Sequence, residues 1–75
     1  MRKFPVVSGK NVVTALKTAG FQEVSQKGSH IKLKGLWDGD NKTVIVPIHE
    51  ELALGTLKSI LRQAGMTIDE IKNFL

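Results

Sequence analysis

The segment His30-Ile31-Lys32-Leu33-Lys34 decides the fold, together with the segment Thr43-Val44-Ile45-Val46-Pro47-Ile48 that follows it after Leu36-Trp37-Asp38-Gly39-Asp40-Asn41. The first segment alternates polar and apolar side chains with period two, as a strand with one buried face must. The second is β-branched and nearly continuous, and the Asp-Gly pair between them is a turn signal, so the two close a hairpin. Pro47 has no N–H to give to a ladder; it marks the end of its strand or an outward-facing edge position. Burial then selects the register. If Lys34 faces Thr43, then Ile31 and Leu33 share a face with Val44, Val46 and Ile48, and that face meets the helices. A slip of one residue would leave those three apolar side chains among the lysines. The opposite, open face carries His30, Lys32 and Lys34 with Thr43, Ile45, Pro47 and His49.

Outward from the hairpin, Phe21 to Lys27 alternates weakly and is a further strand, interrupted by Gly28-Ser29. Ser8 precedes Val12, Ala15, Leu16 and Ala19 at helical spacing, with Gly20 just beyond, which predicts a Ser-capped helix over about 9–19. Leu57, Ile60, Leu61 and Ala64, stopped by Gly65, predict a second helix over about 55–64. Thr67-Ile68-Asp69-Glu70 is a capping box that opens a short third helix, with Ile68, Ile71, Phe74 and Leu75 as its apolar stripe. The order αβββα(α) is an α+β fold, a three-stranded antiparallel sheet with helices packed on one face.

The 75 residues are expected to form a single domain, 1–75, with one small core. Zero Cys and two His exclude disulfide frameworks and Cys-based zinc sites, so apolar packing must supply the stability. No apolar run reaches signal-peptide length or the ~20 residues of a membrane span, and the expectation is a soluble, cytoplasmic protein with no membrane partner. The charge is uneven. Residues 1–42 hold eight of the eleven Lys and Arg against three acids, whereas residues 43–75 hold three against four. A local basic excess suits a polyanion such as RNA, and equally describes a solubilising face.

His30 is the first candidate for chemistry. If the polyanion that the basic excess suits were an RNA to be cut without a metal, a group would have to take the 2′-OH proton near neutral pH and cations would have to stand near the phosphorane charge, and an imidazole suits the first task. Lys27, Lys32 and Lys34 lie close by in sequence, and Gly28 and Ser29 would let a phosphate approach the chain and meet backbone or hydroxyl donors. From the residues alone the plainer reading, a histidine topping an exposed strand, is the commoner one. Two histidines without a suitably placed carboxylate or Cys make a poor metal site, so no metal and no other cofactor is expected. No Ser-His-Asp arrangement or phosphate loop is legible, and Ser8-Gly9-Lys10 is better spent on a helix cap. Trp37, in the turn, could stack on a base or dock a partner, but more commonly such a residue folds over the sheet rim. Lys58 and Arg62 describe a solvated helix face as well as a phosphate contact.

Five blocks, in order, carry a family resemblance: Ser8-Gly9, Gly20-Phe21, Gly28-Ser29-His30, Val44-Ile45-Val46-Pro47-Ile48-His49, and Gly55-Thr56-Leu57-Lys58-Ser59-Ile60-Leu61-Arg62-Gln63-Ala64-Gly65. Over residues 8–74 the chain resembles the HicA-type (YcfA-like) toxins. The resemblance implies a double-stranded-RNA-binding-domain-like fold and an mRNA interferase, a metal-independent endoribonuclease of a type II toxin–antitoxin system, neutralised by a HicB-type antitoxin. It also implies that the histidine of the Gly-Ser-His block, here His30, is catalytic. Lys27, Gly28, Ser29, Lys32 and Lys34 are the expected RNA-binding residues. His49 lies outside the family's catalytic block, so the expectation is that it caps or hydrogen-bonds the loop into the second helix, with a two-histidine pair as the alternative. The rival function is a non-catalytic double-stranded-RNA-binding module of the same fold; such modules carry a lysine cluster at the start of the second helix, where this chain has Gly55-Thr56-Leu57-Lys58. A protein-interaction domain with no RNA role is the third reading.

Overall fold

The computed structural model describes residues 4–75; Arg2 and Lys3, counted above in the basic half, lie outside them. The elements follow the order α1 (Gly9–Thr18), β1 (Gln22–Lys27), β2 (His30–Trp37), β3 (Asp40–Pro47), α2 (Leu54–Ala64) and α3 (Ile68–Lys72). The sheet is antiparallel with strand order β1-β2-β3. This is the expected α+β arrangement, and the hairpin register is the one burial demanded, with Lys34 opposite Thr43, Leu33 opposite Val44 and Ile31 opposite Val46.

Local chemistry sets the helix ends. The Ser8 hydroxyl accepts from the Asn11 N–H at 3.0 Å and opens α1. At α3 the capping box is complete: Thr67 Oγ1 accepts from Glu70 N–H at 3.1 Å, and Thr67 N–H donates to Glu70 Oε1 at 2.8 Å. The core lies between the helices and the inner face of the sheet. Leu16, Val12, Leu33, Val44, Val46, Ile60 and Ile71 are fully buried, and among the described residues no polar or charged side chain is buried with them. Each such apolar side chain contributes about 1.5–3 kcal/mol by leaving water, which is how a chain without disulfides holds together.

Both hairpin strands run further toward the turn than the alternation suggested. β2 continues through Trp37 and β3 begins at Asp40, leaving only Asp38 and Gly39 between them, at φ 53° and 83°. A two-residue turn with both φ values positive matches the right-handed twist of its strands, so pairing persists up to the turn itself. Trp37 is therefore the last residue of β2 rather than part of the turn. It shares the inner face with Ile31 and Leu33 and packs edge-on to Phe74, ring centroids 6.0 Å apart at 81°.

β3 is an edge strand, and α2 runs along it. The outward N–H of Ile45 donates to Gln63 Oε1 at 2.9 Å, and Gln63 Nε2 donates to Ser59 Oγ at 3.3 Å. Pro47, two residues on, faces the same edge and closes the strand, where its missing N–H costs no ladder bond.

Candidate functional site

The pairing register arranges the open face in rows. Lys27, His30 and Pro47 form one row across the sheet; Ser25, Lys32 and Ile45 the next; Gln22, Lys34 and Thr43 the third. Facing side chains in such rows stand about 4.5–5.5 Å apart at Cβ. His30 is thus flanked across the strand by Lys27 and along its own strand by Lys32, with Lys34 beyond. His30, Lys27 and Lys34 are exposed and Lys32 is half-buried. The ion pairs among the described residues, Lys17 with Glu23 and Lys42 with Asp40, engage none of these lysines. Gly28 and Ser29 form the β1–β2 turn next to His30, with Gly28 at φ 60°. The Ser29 carbonyl accepts from the Ile48 N–H at 2.7 Å, which ties this turn to the far end of β3.

The open face is not a plain surface, because α2 overhangs it at the β3 edge. The two border a shallow, open cleft of about 470 Å³. His30, Ile45, Pro47 and His49 line it from the sheet side, and Gly55, Thr56, Ser59, Ile60 and Gln63 from α2. None of these residues is acidic, and α2 has no acidic residue in its first turn.

His49 does not cap α2. The N-cap residue there is Ala53, and no side chain bonds the helix start. The His49 backbone is engaged elsewhere: its carbonyl accepts from Gly9 N–H at 2.9 Å, where the first residue of α1 docks on the end of β3. The approach is so close that a Cβ on Gly9 would sit 2.0 Å from the Pro47 carbonyl oxygen. The His49 side chain makes no hydrogen bond among the described residues and lines the cleft together with His30.

Gly55, Ser59 and Gln63 recur every four residues and form the small, polar wall of α2 that faces the cleft. Sequence reasoning followed the apolar stripe of this helix and passed over them. Their spacing was a usable signal, but only once β3 was known to be the neighbouring edge. Trp37, Lys58 and Arg62 lie outside the cleft. Trp37 serves packing, and the Lys58 ammonium stands 5.4 Å from the centroid of the Phe4 ring, within cation–π reach. Among the described residues no three His, Cys, Asp or Glu side chains come together as a metal site would require.

Fold and cleft together define a small basic α+β domain that presents two imidazoles and, in successive rows of one sheet face, three lysines. Residues 9–66, more than three quarters of the chain and every residue of the cleft, match the family described as the HicA toxin of bacterial toxin–antitoxin systems. The chain belongs to the HicA toxin family, and its place is that of the toxin whose partner is an antitoxin. No curated protein matches the sequence. Among the described residues no helix is long and apolar enough to cross a membrane.

Proposed function

We propose that this toxin is an endoribonuclease, an mRNA interferase that cuts RNA without a metal and so arrests translation and growth in the cytoplasm, with residues 1–75 acting as a single toxin domain and a HicB-type protein as its antitoxin. The observation that carries the reading is the placement of His30: exposed, lining the cleft, in a row with Lys27 and beside Lys32 on the same face. In the reaction the 2′-oxygen attacks the adjacent phosphorus, the P–O5′ bond breaks, and the products are a 2′,3′-cyclic phosphate and a free 5′-hydroxyl. One proton must leave the 2′-oxygen and one must reach the departing 5′-oxygen. His30 moves one of these protons. Lys27, Lys32 and Lys34 supply positive charge for the phosphates, and Gly28 and Ser29 form the turn against which the backbone of the RNA lies.

His30→Ala tests the reading. General acid–base catalysis is worth about 10² to 10⁴ in rate, and cleavage and growth arrest should fall by that factor. The melting curve should stay in place, because an exposed strand position away from the apolar face changes stability by less than about 0.5 kcal/mol. A folded His30→Ala chain that cleaves RNA at the parental rate removes His30 from the chemistry.

A further inference from the structure

Cleavage through a 2′,3′-cyclic phosphate requires two proton transfers on opposite sides of one phosphorus, and a single imidazole accounts for one. The described residues that line the cleft offer few groups for the other. Thr56, Ser59 and Gln63 do not exchange protons readily near neutral pH; Ile45, Pro47, Gly55 and Ile60 cannot; the remaining residue is His49.

The position of His49 is built, not incidental. His30 pairs with Pro47, and the same register continues past the end of β3, since Ile48 N–H donates to the Ser29 carbonyl at 2.7 Å just as the next rung of the ladder would. His49 therefore takes the diagonal position to His30, for which Cα atoms lie about 7–8 Å apart and long or aromatic side chains still reach a common centre. Its backbone is pinned from the other side by the 2.9 Å bond from Gly9, at a contact that leaves no room for a Cβ. The side chain is exposed and without a hydrogen-bond partner among the described residues, free to meet a ligand. The charged groups around the pair differ. Lys27 and Lys32 flank His30, Lys10 and Glu50 share a smaller hollow with His49, and the wall of α2 between them is uncharged.

We propose that His49 is a second catalytic residue, and that His30 and His49 divide the two proton transfers of RNA cleavage between them. This rests on the endoribonuclease reading above. One histidine takes the 2′-OH proton while the other gives a proton to the 5′-oxygen as the P–O5′ bond breaks. Proton count and electron pairs balance without a further reactant, and the cyclic phosphate leaves the pair in exchanged protonation states.

The test uses single-turnover cleavage of an RNA oligonucleotide by the parent chain, His30→Ala, His49→Ala and His49→Gln, each checked by thermal melting. Both His49 variants should lose about 10² to 10⁴ in rate without a change in melting. A second substrate carries sulfur in place of the bridging 5′-oxygen; a thiolate departs without a proton, so the variant lacking the general acid recovers on it and the variant lacking the base does not. Recovery of one alanine variant and not the other supports the division and says which histidine is the acid. Parental rates in folded His49→Ala and His49→Gln overturn it while leaving His30 and the endoribonuclease reading intact, and so does recovery of neither variant. A growth-arresting parent chain that cuts no RNA overturns the endoribonuclease reading, and this inference with it.

Discussion

Two Gly→Ala substitutions of identical chemistry should move stability in opposite directions. Gly9 and Gly55 both sit in the first turn of a helix. At Gly9 an added methyl would stand 2.0 Å from the Pro47 carbonyl oxygen and 3.0 Å from Ile48 Cα, whereas at Gly55 it would meet nothing within 4 Å. Real Cβ contacts essentially never fall below 3.0 Å, so α1 and the end of β3 must part by at least about 1 Å in Gly9→Ala. Overpacking of this kind costs about 1–3 kcal/mol. The parting also strains the 2.9 Å bond from Gly9 to His49, worth about 0.5–1.5 kcal/mol. Together the loss is about 2–4 kcal/mol, and in a domain of this size each kcal/mol moves the midpoint by about 4–8 °C, so Gly9→Ala should melt roughly 10–30 °C below the parent. Gly55→Ala should gain about 0.4–1 kcal/mol by restricting the unfolded chain, and melt a few degrees higher. Circular dichroism melts and urea titrations of both variants measure this. The close approach of α1 to β3 is refuted if Gly9→Ala melts with the parent, or if Gly55→Ala falls as far as Gly9→Ala does.

Two further outcomes are expected. Lys32→Ala combined with Lys34→Ala should weaken RNA binding and flatten its salt dependence, since each lost phosphate contact removes about 0.7–0.9 from the log–log slope; an unchanged slope in the folded double variant would make the basic face merely solubilising. The product of an adjacent reading frame should co-purify with the chain, relieve its toxicity and protect the His30 face from chemical modification. A complex that leaves His30 fully reactive would place the antitoxin elsewhere.

The register was legible because only one pairing buries Val44 and Val46 with Leu33, and a two-sided constraint of that kind survives without any knowledge of the helices. The caps at Ser8 and Thr67 were legible for a related reason: their bonds close within three residues of sequence. The ends of the hairpin were not. Gly35-Leu36-Trp37 breaks the polar–apolar alternation, and only the two-residue turn at Asp38 and Gly39 forces it into the strand. The cleft was hidden more deeply, because it depends on α2 lying along the free edge of β3. That placement combines core packing of Leu57, Ile60, Leu61 and Ala64 with a bond from Ile45 to Gln63 across 18 residues, which no local pattern announces. The role expected for His49 failed at the same point. A helix-capping histidine was reasonable for the loop before α2 until the N-terminus of α1 proved to hold its backbone instead.

The cleft is framed by the fold itself, with Ile60 in the core and Gln63 bonded to β3, whereas the His30 and His49 imidazoles that line it are exposed and make no hydrogen bond among the described residues. The bonds from Gly9 to the His49 carbonyl and from Ile48 to the Ser29 carbonyl fix the main chain at and beside the two histidines, and Ile45 to Gln63 ties α2 to the same edge of the sheet. The imidazoles and Lys27 and Lys34 project into solvent from this frame, and no ion pair among the described residues draws on Lys27, Lys32 or Lys34. The proposed chemistry and the stability are therefore separable here. Removing an imidazole leaves the frame standing, while a methyl on Gly9 breaks the frame without touching either imidazole. The same separation bears on inhibition. An acidic partner would meet lysines that give up no internal salt bridge to receive it, and its charges would speed association in a salt-dependent way. On the proposed reading, such a partner would not need to distort the toxin: filling the shallow space between His30, His49 and the polar wall of α2 would be enough to exclude a phosphate.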